Sequence, residues 1–257
     1  MTALGGDPTL SASARWGVRA LAAAVALVAW QVAAATQDVL FAPPLAVARV
    51  LVDDALSTRV LLAAVVGALR NAAVGYGLAL TVGVPVGALV GLWAPARHVL
   101  DPVLDALYST PMVALAPLFI IWFGLSPVAK VVLVFTFAVF VVVINTEAGL
   151  ANPPDGLLDA ATVYGAGARA VRLRVRVRHA LPSVLTGARL GAGRAVRGAV
   201  AAELFLYADA LGQYLIDSGS TFEIARLLAG VVALTLVGVL VVGSVGAVER
   251  RVRYADA

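Results

Sequence analysis

The feature that most constrains this chain is a series of apolar stretches, each about as long as a lipid bilayer is thick. A membrane-spanning helix needs about 20 consecutive, mostly apolar residues, and the clearest such stretch contains VVLVFTFAVFVVVI. The chain has 257 residues, of which 61% are hydrophobic and 13% charged, whereas roughly a quarter of a soluble domain is charged. Because a water-soluble fold cannot bury this much apolar surface, the sequence predicts an all-α, polytopic membrane protein.

About six stretches are candidate spans, and together they predict a single transmembrane domain over residues 16–248. Pro111 and Pro117 lie in the third span and each removes a backbone donor, so we expect a kinked or broken helix there. The second span follows a weakly amphipathic segment that starts at Val60, with Arg70 and Asn71 at its polar boundary. The six spans are Trp16 to Ala35, Ala72 to Leu92, Ala106 to Phe123, Leu125 to Ile144, Leu181 to Leu206 and Leu227 to Val248.

The loop arginines predict the orientation of these spans. An even number of crossings puts both termini on one side, and loops rich in Lys and Arg stay in the cytoplasm. Ten loop arginines lie on the side of the termini and three on the other. We therefore expect a protein of the cell membrane with cytoplasmic segments at 1–15, 147–180 and 249–257. The alternative is a cleaved signal peptide ending near Ala33-Ala34-Ala35, which would leave five spans.

The second span has one face made of small residues, which recur every four positions. Another helix can approach such a ridge closely. The ridge serves either general close packing, which needs no function, or a specific dimer contact. Its members are Gly75, Ala79, Gly83, Gly87 and Gly91.

The longest polar stretch, 147–180, separates the fourth and fifth spans. Asn152-Pro153-Pro154-Asp155 is typical of a helix start, because proline fits the first turn and Asn or Asp can cap free amides. A short helix should follow and end at Gly165 or Gly167. Its flat Ala160-Ala161 face suits a groove on another protein, although a helix lying on lipid headgroups would have a similar composition. Further residues of the predicted helix are Leu157, Leu158 and Tyr164.

After this helix, arginines at 172, 174, 176 and 178 alternate with apolar residues. This period of two, taken alone, indicates a strand, but between two membrane spans we interpret it as an irregular helix or turn. The arginines fit the positive-inside rule better than a nucleotide-binding or partner-binding patch. We expect no nucleic-acid partner.

The loop resembles the cytoplasmic loop of ABC importer permeases, the transmembrane subunits of binding-protein-dependent uptake systems. The motifs that carry this resemblance are Asp159-Ala160-Ala161-Thr162-Val163-Tyr164-Gly165 and Ala180-Leu181-Pro182-Ser183. Two departures are Asp159, where the family has glutamate, and Val177-Arg178, where it often has a first Leu-Pro pair. From roughly Phe41 to the C-terminus, further motifs resemble the nitrate, taurine and aliphatic-sulfonate group: Tyr108-Ser109-Thr110-Pro111, Ala116-Pro117-Leu118, Trp122-Phe123-Gly124, Lys130, Asn145-Thr146, Gly149, Gly187-Ala188-Arg189, Ala202-Glu203 and Leu211-Gly212.

The resemblance implies a type I ABC importer permease (MetI-like) fold, partners and a substrate class. The implied partners are a dimeric ATP-binding subunit, an extracytoplasmic solute-binding protein, a second permease copy and the bilayer. Sulfonates, taurine or nitrate are the expected substrates, followed by thiamine-precursor pyrimidines. The residues implied to contact the ATPase are Asp159, Ala160, Ala161, Tyr164, Gly165, Leu181 and Pro182.

The sequence offers no residues for chemistry of its own. A phosphate-binding loop ends in Gly-Lys-Ser/Thr, and the only lysine is Lys130, in Ser-Pro-Val-Ala-Lys. With no cysteine and two distant histidines, we expect no metal, no cofactor and no catalytic residue. We therefore expect a transport subunit that is not an enzyme.

Three residues are candidates for a pathway or gate. Pro111 and Pro117 are included because broken helices line transport routes, and Glu203 because a carboxylate in a span is costly. Glu203 acts either as a gate or interhelical hydrogen-bond partner, or lies at the outer end of its span. It is about 240° from Arg197 around an ideal helix, so a local ion pair is not expected.

Two other classes of protein remain as alternatives. A secondary active transporter should show several embedded acidic or histidine residues for ion coupling, and this chain offers one deep carboxylate. A non-catalytic subunit of another membrane complex has no reason to carry the loop from Asp159 to Pro182.

Overall fold

A computed structural model of the chain describes residues 12–36, 41–206 and 210–255, and within these residues there are helices and no β-strand. This confirms the predicted all-α fold. The helices are α1 (Ala12–Thr36), α2 (Pro44–Val52), α3 (Val60–Leu92), α4 (Ala94–Ser109), α5 (Ala116–Phe123), α6 (Pro127–Ala151), α7 (Asp155–Val163), α8 (Ala168–Ala170), α9 (Val177–Phe205), α10 (Ala210–Ser220) and α11 (Ile224–Ala255). A π-helical turn, Asp53–Ser57, follows α2, and a second one, Val171–Arg176, joins α8 to α9. A 3₁₀ turn, Met112–Leu115, precedes α5.

Among the described residues, four helices are long and apolar enough to cross a membrane, which is fewer than the six spans expected. They are Trp16–Ala35, Val60–Leu92, Pro127–Ala151 and Ile224–Gly243. A fifth crossing results if Ala94–Ser109 and Met112–Phe123, which are bent by 87°, form one span. The predicted fifth span, now α9, has 29 residues and is about 43 Å long. α9 is long enough to cross a membrane, but its arginines and Glu203 make it too polar to count among the apolar helices.

In the first half of the chain, one predicted helix boundary changes and one predicted helix break is confirmed. α3 begins at Val60 and runs through Arg70 and Asn71 without a break, because arginine is a good helix former and its side chain here is exposed. The third span is broken as predicted. Pro111 has an extended backbone (ψ 93°) after α4 ends, while Pro117 lies in the first turn of α5, where a missing amide is tolerated.

The structure adds detail at the C-terminal end of the predicted domain. α11 continues to Ala255, so residues 249–255 of the predicted cytoplasmic tail are helical, and the division at residue 248 stays a prediction. Residues 1–11 of the predicted N-terminal segment lie outside the described residues.

α6 is the central helix, packed between α3 and α9. The small-residue ridge of α3 lies against it. A Cβ built on Gly87 would lie 2.5 Å from the carbonyl oxygen of Val143, and one on Gly75 would lie 2.7 Å from that of Val131. Glycines of α9 also lie close to α6, and a Cβ built on Gly191 would lie 2.8 Å from Val142, a residue that the ridge contacts as well. The ridge therefore serves close packing within the chain.

Candidate functional site

The predicted short helix forms as α7, and its two ends are fixed by different residues. Either Asn152 or Asp155 was expected to cap the first amides. Instead Pro154 is the N-cap without a side-chain bond, and the Asn152 amide donates back to the Ala148 carbonyl at 3.3 Å. At the other end, Gly165 adopts a left-handed conformation with φ 77°, and this ends the helix as predicted.

Hydrogen bonds at this end complete a standard helix termination. The Gly165 amide donates to the Thr162 carbonyl and the Ala166 amide donates to the Ala161 carbonyl, both at 2.9 Å. Residues other than glycine pay a steric penalty in the left-handed region. Gly165 therefore sets the point at which the chain turns away from α7.

The surface of α7 is largely uncovered by the rest of the chain. None of its residues is buried, and its main contacts with the rest of the chain are with the turn Val171–Arg176. Val163 is 84% exposed and Tyr164 is 90% exposed, the highest fractions among the large hydrophobic side chains that the structure describes. Of the other predicted contact residues, Asp159, Ala160 and Gly165 are exposed and Ala161 is half-buried.

Leu181 and Pro182 lie apart from α7 in sequence and in structure. Both are exposed and lie near the start of α9, beyond α8 and the π-helical turn. The structure therefore does not bring the whole predicted contact set onto one helix. Whether all seven residues contact the same partner stays a prediction.

A polar contact that the sequence analysis missed lies where α3, α4 and α6 meet, just before α7. Arg97 Nη2 donates to the Gly91 carbonyl at 2.8 Å, and Arg97 Nε lies 3.6 Å from Glu147 Oε1. Arg97 thus joins the last turn of α3 to the last turns of α6. These two contacts hold the ends of α3 and α6 together close to the start of α7.

Glu203, the third pathway candidate, is buried at the far end of the bundle. Its Oε2 accepts hydrogen bonds from Lys130 Nζ and from the Gly212 amide, both at 2.9 Å. The Lys130 and Glu203 side chains are 0% and 3% exposed. Glu203 therefore joins α9 to the first turn of α6 and to α10, as the interhelical alternative expects. It also lies in the last turn of α9, as the other alternative expects, so its role stays a prediction. Lys130 was missed as its partner, although it is the only lysine in the chain.

The other two pathway candidates, Pro111 and Pro117, are both exposed, and whether they line a pathway stays a prediction. After the break at Pro111, α5 packs against α6 and α9, where Ala116 and Phe119 lie in one cluster with Ala202 and Leu206.

Residues 83–254 match the model of a family described as "binding-protein-dependent transport system inner membrane component". The match covers more than half of the chain. The chain belongs to this family of ABC importer permeases. As an inner-membrane component with several long apolar helices, the permease is a multi-pass membrane protein.

Individual relatives agree with the family match. The permease is 33% identical over 181 residues to a Bacillus subtilis protein described as the aliphatic sulfonates transport permease SsuC, covering 70% of this chain and 66% of that protein. It is 31% identical over 169 residues to the Escherichia coli taurine transport system permease TauC, covering 66% and 62%. The chain thus spans slightly under two thirds of the length of these relatives.

A solved structure supports the predicted type I, MetI-like fold. The permease resembles a chain of the inward-facing MetNI methionine ABC transporter with a TM-score of 0.62 and 20% identity. The match covers 75% of the permease and 96% of that chain.

Two more polar contacts in the permease were not anticipated from its sequence. Tyr214 of α10 donates to the buried Asp54 carboxylate at 2.7 Å, and Arg226 Nε donates to the same oxygen at 3.0 Å. Burial raises the pKa of Tyr214 above its ordinary value, and the hydrogen bond to Asp54 raises that pKa further. Tyr214 therefore stays protonated and acts as a donor.

The second of these contacts involves Arg194, one of the arginines of α9. Arg194 Nη2 donates to the Tyr108 hydroxyl at 2.9 Å, and its guanidinium lies 5.3 Å from the centre of that ring. Arg194 is thus held against α4 by a hydrogen bond and a cation–π contact.

Proposed function

We propose that the permease forms the translocation pathway of an ABC importer for small oxyanions such as sulfonates, taurine or nitrate. It works as a homodimer with a separate dimeric ATPase and an extracytoplasmic solute-binding protein. The names of SsuC and TauC support the substrate class. The family match to binding-protein-dependent systems supports the partners.

The observation that carries the coupling proposal is the exposure of α7. Val163 and Tyr164 present apolar surface that no other described part of the chain covers. Burying such surface against a partner is favourable by about 25 cal/mol per Å². A groove on the ATPase is the partner that the family implies, and the loop sequence from Asp159 to Gly165 carries that resemblance.

Transport then proceeds by conformational gating without covalent chemistry. When the two ATPase subunits close on ATP, they displace α7, and the bundle rocks between inward-open and outward-open states. The energy comes from the ATPase, because we expect no ATP site in the permease itself. This mechanism requires α7 to lie in the cytoplasm. With six spans, we propose that both chain termini, in segments 1–15 and 249–257, lie on the same cytoplasmic side.

Association and uptake test the coupling. The permease is co-purified with its ATPase and assayed for ATP-dependent uptake after Asp159→Arg or Gly165→Trp. We expect both variants to lose association and uptake, because one reverses a charge on α7 and the other strains its end. Gly219→Trp is the control, since a Cβ at Gly219 meets nothing within 4 Å. Normal association and uptake in both variants would remove the coupling proposal.

Orientation can be tested separately, because the chain contains no cysteine. Single cysteines are introduced at Gly167, beside α7, and at Ser220, at the opposite end of the bundle. In intact cells a membrane-impermeant maleimide should label only the Ser220→Cys variant. Labelling of the Gly167→Cys variant from outside would place α7 on the wrong side for an ATPase.

The substrate and the class of transporter are decided by uptake in a deletion strain. Labelled taurine, an alkanesulfonate, nitrate and a thiamine-precursor pyrimidine are compared. Oxyanion uptake that disappears when the ATPase gene is deleted supports the proposal. Pyrimidine uptake would replace the oxyanion assignment, and uptake that survives loss of the ATPase would indicate a secondary transporter.

A further inference from the structure

A cavity of about 400 Å³ lies beside the C-terminal end of α7. Its walls come from Leu92 at the end of α3, Thr162 and Ala166 near the end of α7, and the turn that contains Arg172 and Arg176. A water molecule occupies about 30 Å³ in the liquid, so the cavity can hold a group much larger than water. No acidic side chain lines it.

The two arginines in this wall have unused binding capacity. Within the described part of the chain, neither Arg172 nor Arg176 forms an ion pair. Arg176 Nε is buried within the wall and has no hydrogen-bond partner, so it is not itself reached from the cavity. The two guanidinium charges beside the cavity have no counter-charge among the described residues. An anion in the cavity would balance these two charges.

The chemistry of the walls narrows the class of anion. A guanidinium group presents two parallel N–H donors that match a phosphate. Leu92, Ala166 and Val171 give the cavity an apolar side as well, which suits a ligand that is part anionic and part hydrocarbon. An anionic phospholipid headgroup has both properties.

The position of the cavity agrees with a lipid ligand. Leu92 is the last residue of a candidate membrane span, so the cavity lies at the level where that span ends. Basic pockets at this level are suited to anionic headgroups. We propose that Arg172 and Arg176 bind the phosphate of an anionic phospholipid headgroup beside α7. This goes beyond the proposed function, and the binding does not depend on it.

Native mass spectrometry of the full chain, released from detergent containing phosphatidylglycerol or phosphatidylcholine, measures the binding. The wild type should retain phosphatidylglycerol in preference. Arg172→Gln/Arg176→Gln should weaken that retention by about tenfold, because it removes both charge-assisted contacts. The control is Arg174→Gln/Arg178→Gln, which removes the same charge from two neighbouring arginines that do not line the cavity and should retain wild-type binding.

Several outcomes would overturn the proposal. Equal weakening in both double variants would mean that only the general charge of the segment matters. Equal retention of the two lipids by the wild type would mean that the headgroup charge is not recognised. Displacement of phosphatidylglycerol by inorganic phosphate at millimolar concentration would assign the site to free phosphate.

A second variant covers the case in which the double variant does not fold. Arg176→Lys keeps the charge but loses the planar pair of donors. It should still weaken phosphatidylglycerol binding relative to the wild type, and unchanged binding would contradict the bidentate contact.

Discussion

The buried pair of Lys130 and Glu203 allows the sharpest test of what stabilises the bundle. Glu203→Gln keeps the shape and an oxygen for the Gly212 amide, but it removes the negative charge 2.9 Å from Lys130 Nζ. Removing one partner of a buried ion pair costs about 3–5 kcal/mol. At about 2–4 °C per kcal/mol for a chain of this size, the Tm should fall by about 6–20 °C. Thermal unfolding of the purified permease in detergent, followed by size-exclusion chromatography, measures this change.

Two further variants separate charge burial from other effects of mutation. Lys130→Met/Glu203→Gln removes both charges, so it should recover a large part of the lost Tm. Glu223→Gln removes a carboxylate from a pair in which Glu223 is 52% and Arg226 39% exposed, and its effect should stay below about 1 kcal/mol. If the double variant loses the sum of the single losses, or if Glu223→Gln costs as much as Glu203→Gln, the reasoning is wrong.

Two other predictions concern packing and a buried hydrogen bond. Gly87→Ala should lower the Tm, because its Cβ would lie 2.5 Å from a backbone carbonyl of α6 and overpacking costs about 1–3 kcal/mol. Gly77→Ala on the same helix, with nothing within 4 Å of the new Cβ, should not lower it. Tyr214→Phe leaves the buried Asp54 with one donor fewer and should cost about 1–3 kcal/mol in the same thermal assay. Tyr164→Phe, at a 90% exposed position, should change the Tm little, and an equal loss in both tyrosine variants would contradict the argument.

The elements that could be predicted from the sequence are those set by local backbone chemistry. Pro111 breaks the third span because proline removes a backbone donor and disfavours a helical conformation of the residue before it, and Thr110 is extended here. Gly165 ends α7 because it adopts a left-handed conformation, with φ 77°, that favours glycine. The four-residue repeat of small residues in α3 predicted a close helix contact. None of these predictions needs knowledge of a distant part of the chain.

The features that were missed depend on contacts between helices. Lys130 and Glu203 are 73 residues apart, and a helical wheel tests only pairs within one helix. The same limit hid the contact of Arg194 with Tyr108, 86 residues away. The ridge on α3 predicted a close neighbour but could not identify it as α6. Composition predicted α9 as a membrane span but did not show what its charged residues contact. Arg194 binds α4, and Glu203 binds α6 and α10.

The two ends of α6 lead to a prediction that separates folding from coupling. Lys130 lies in its first turn, and α7 follows shortly after its last residue, Ala151. Glu203→Gln disturbs only the first end, so under conditions where it stays folded it should lower ATP-dependent uptake while ATPase association stays normal. Asp159→Arg changes α7, which follows the other end of α6, and should lower both uptake and ATPase association. If Glu203→Gln also weakens association, the two ends are not independent, and α7 cannot be treated as a separate docking element on a rigid bundle.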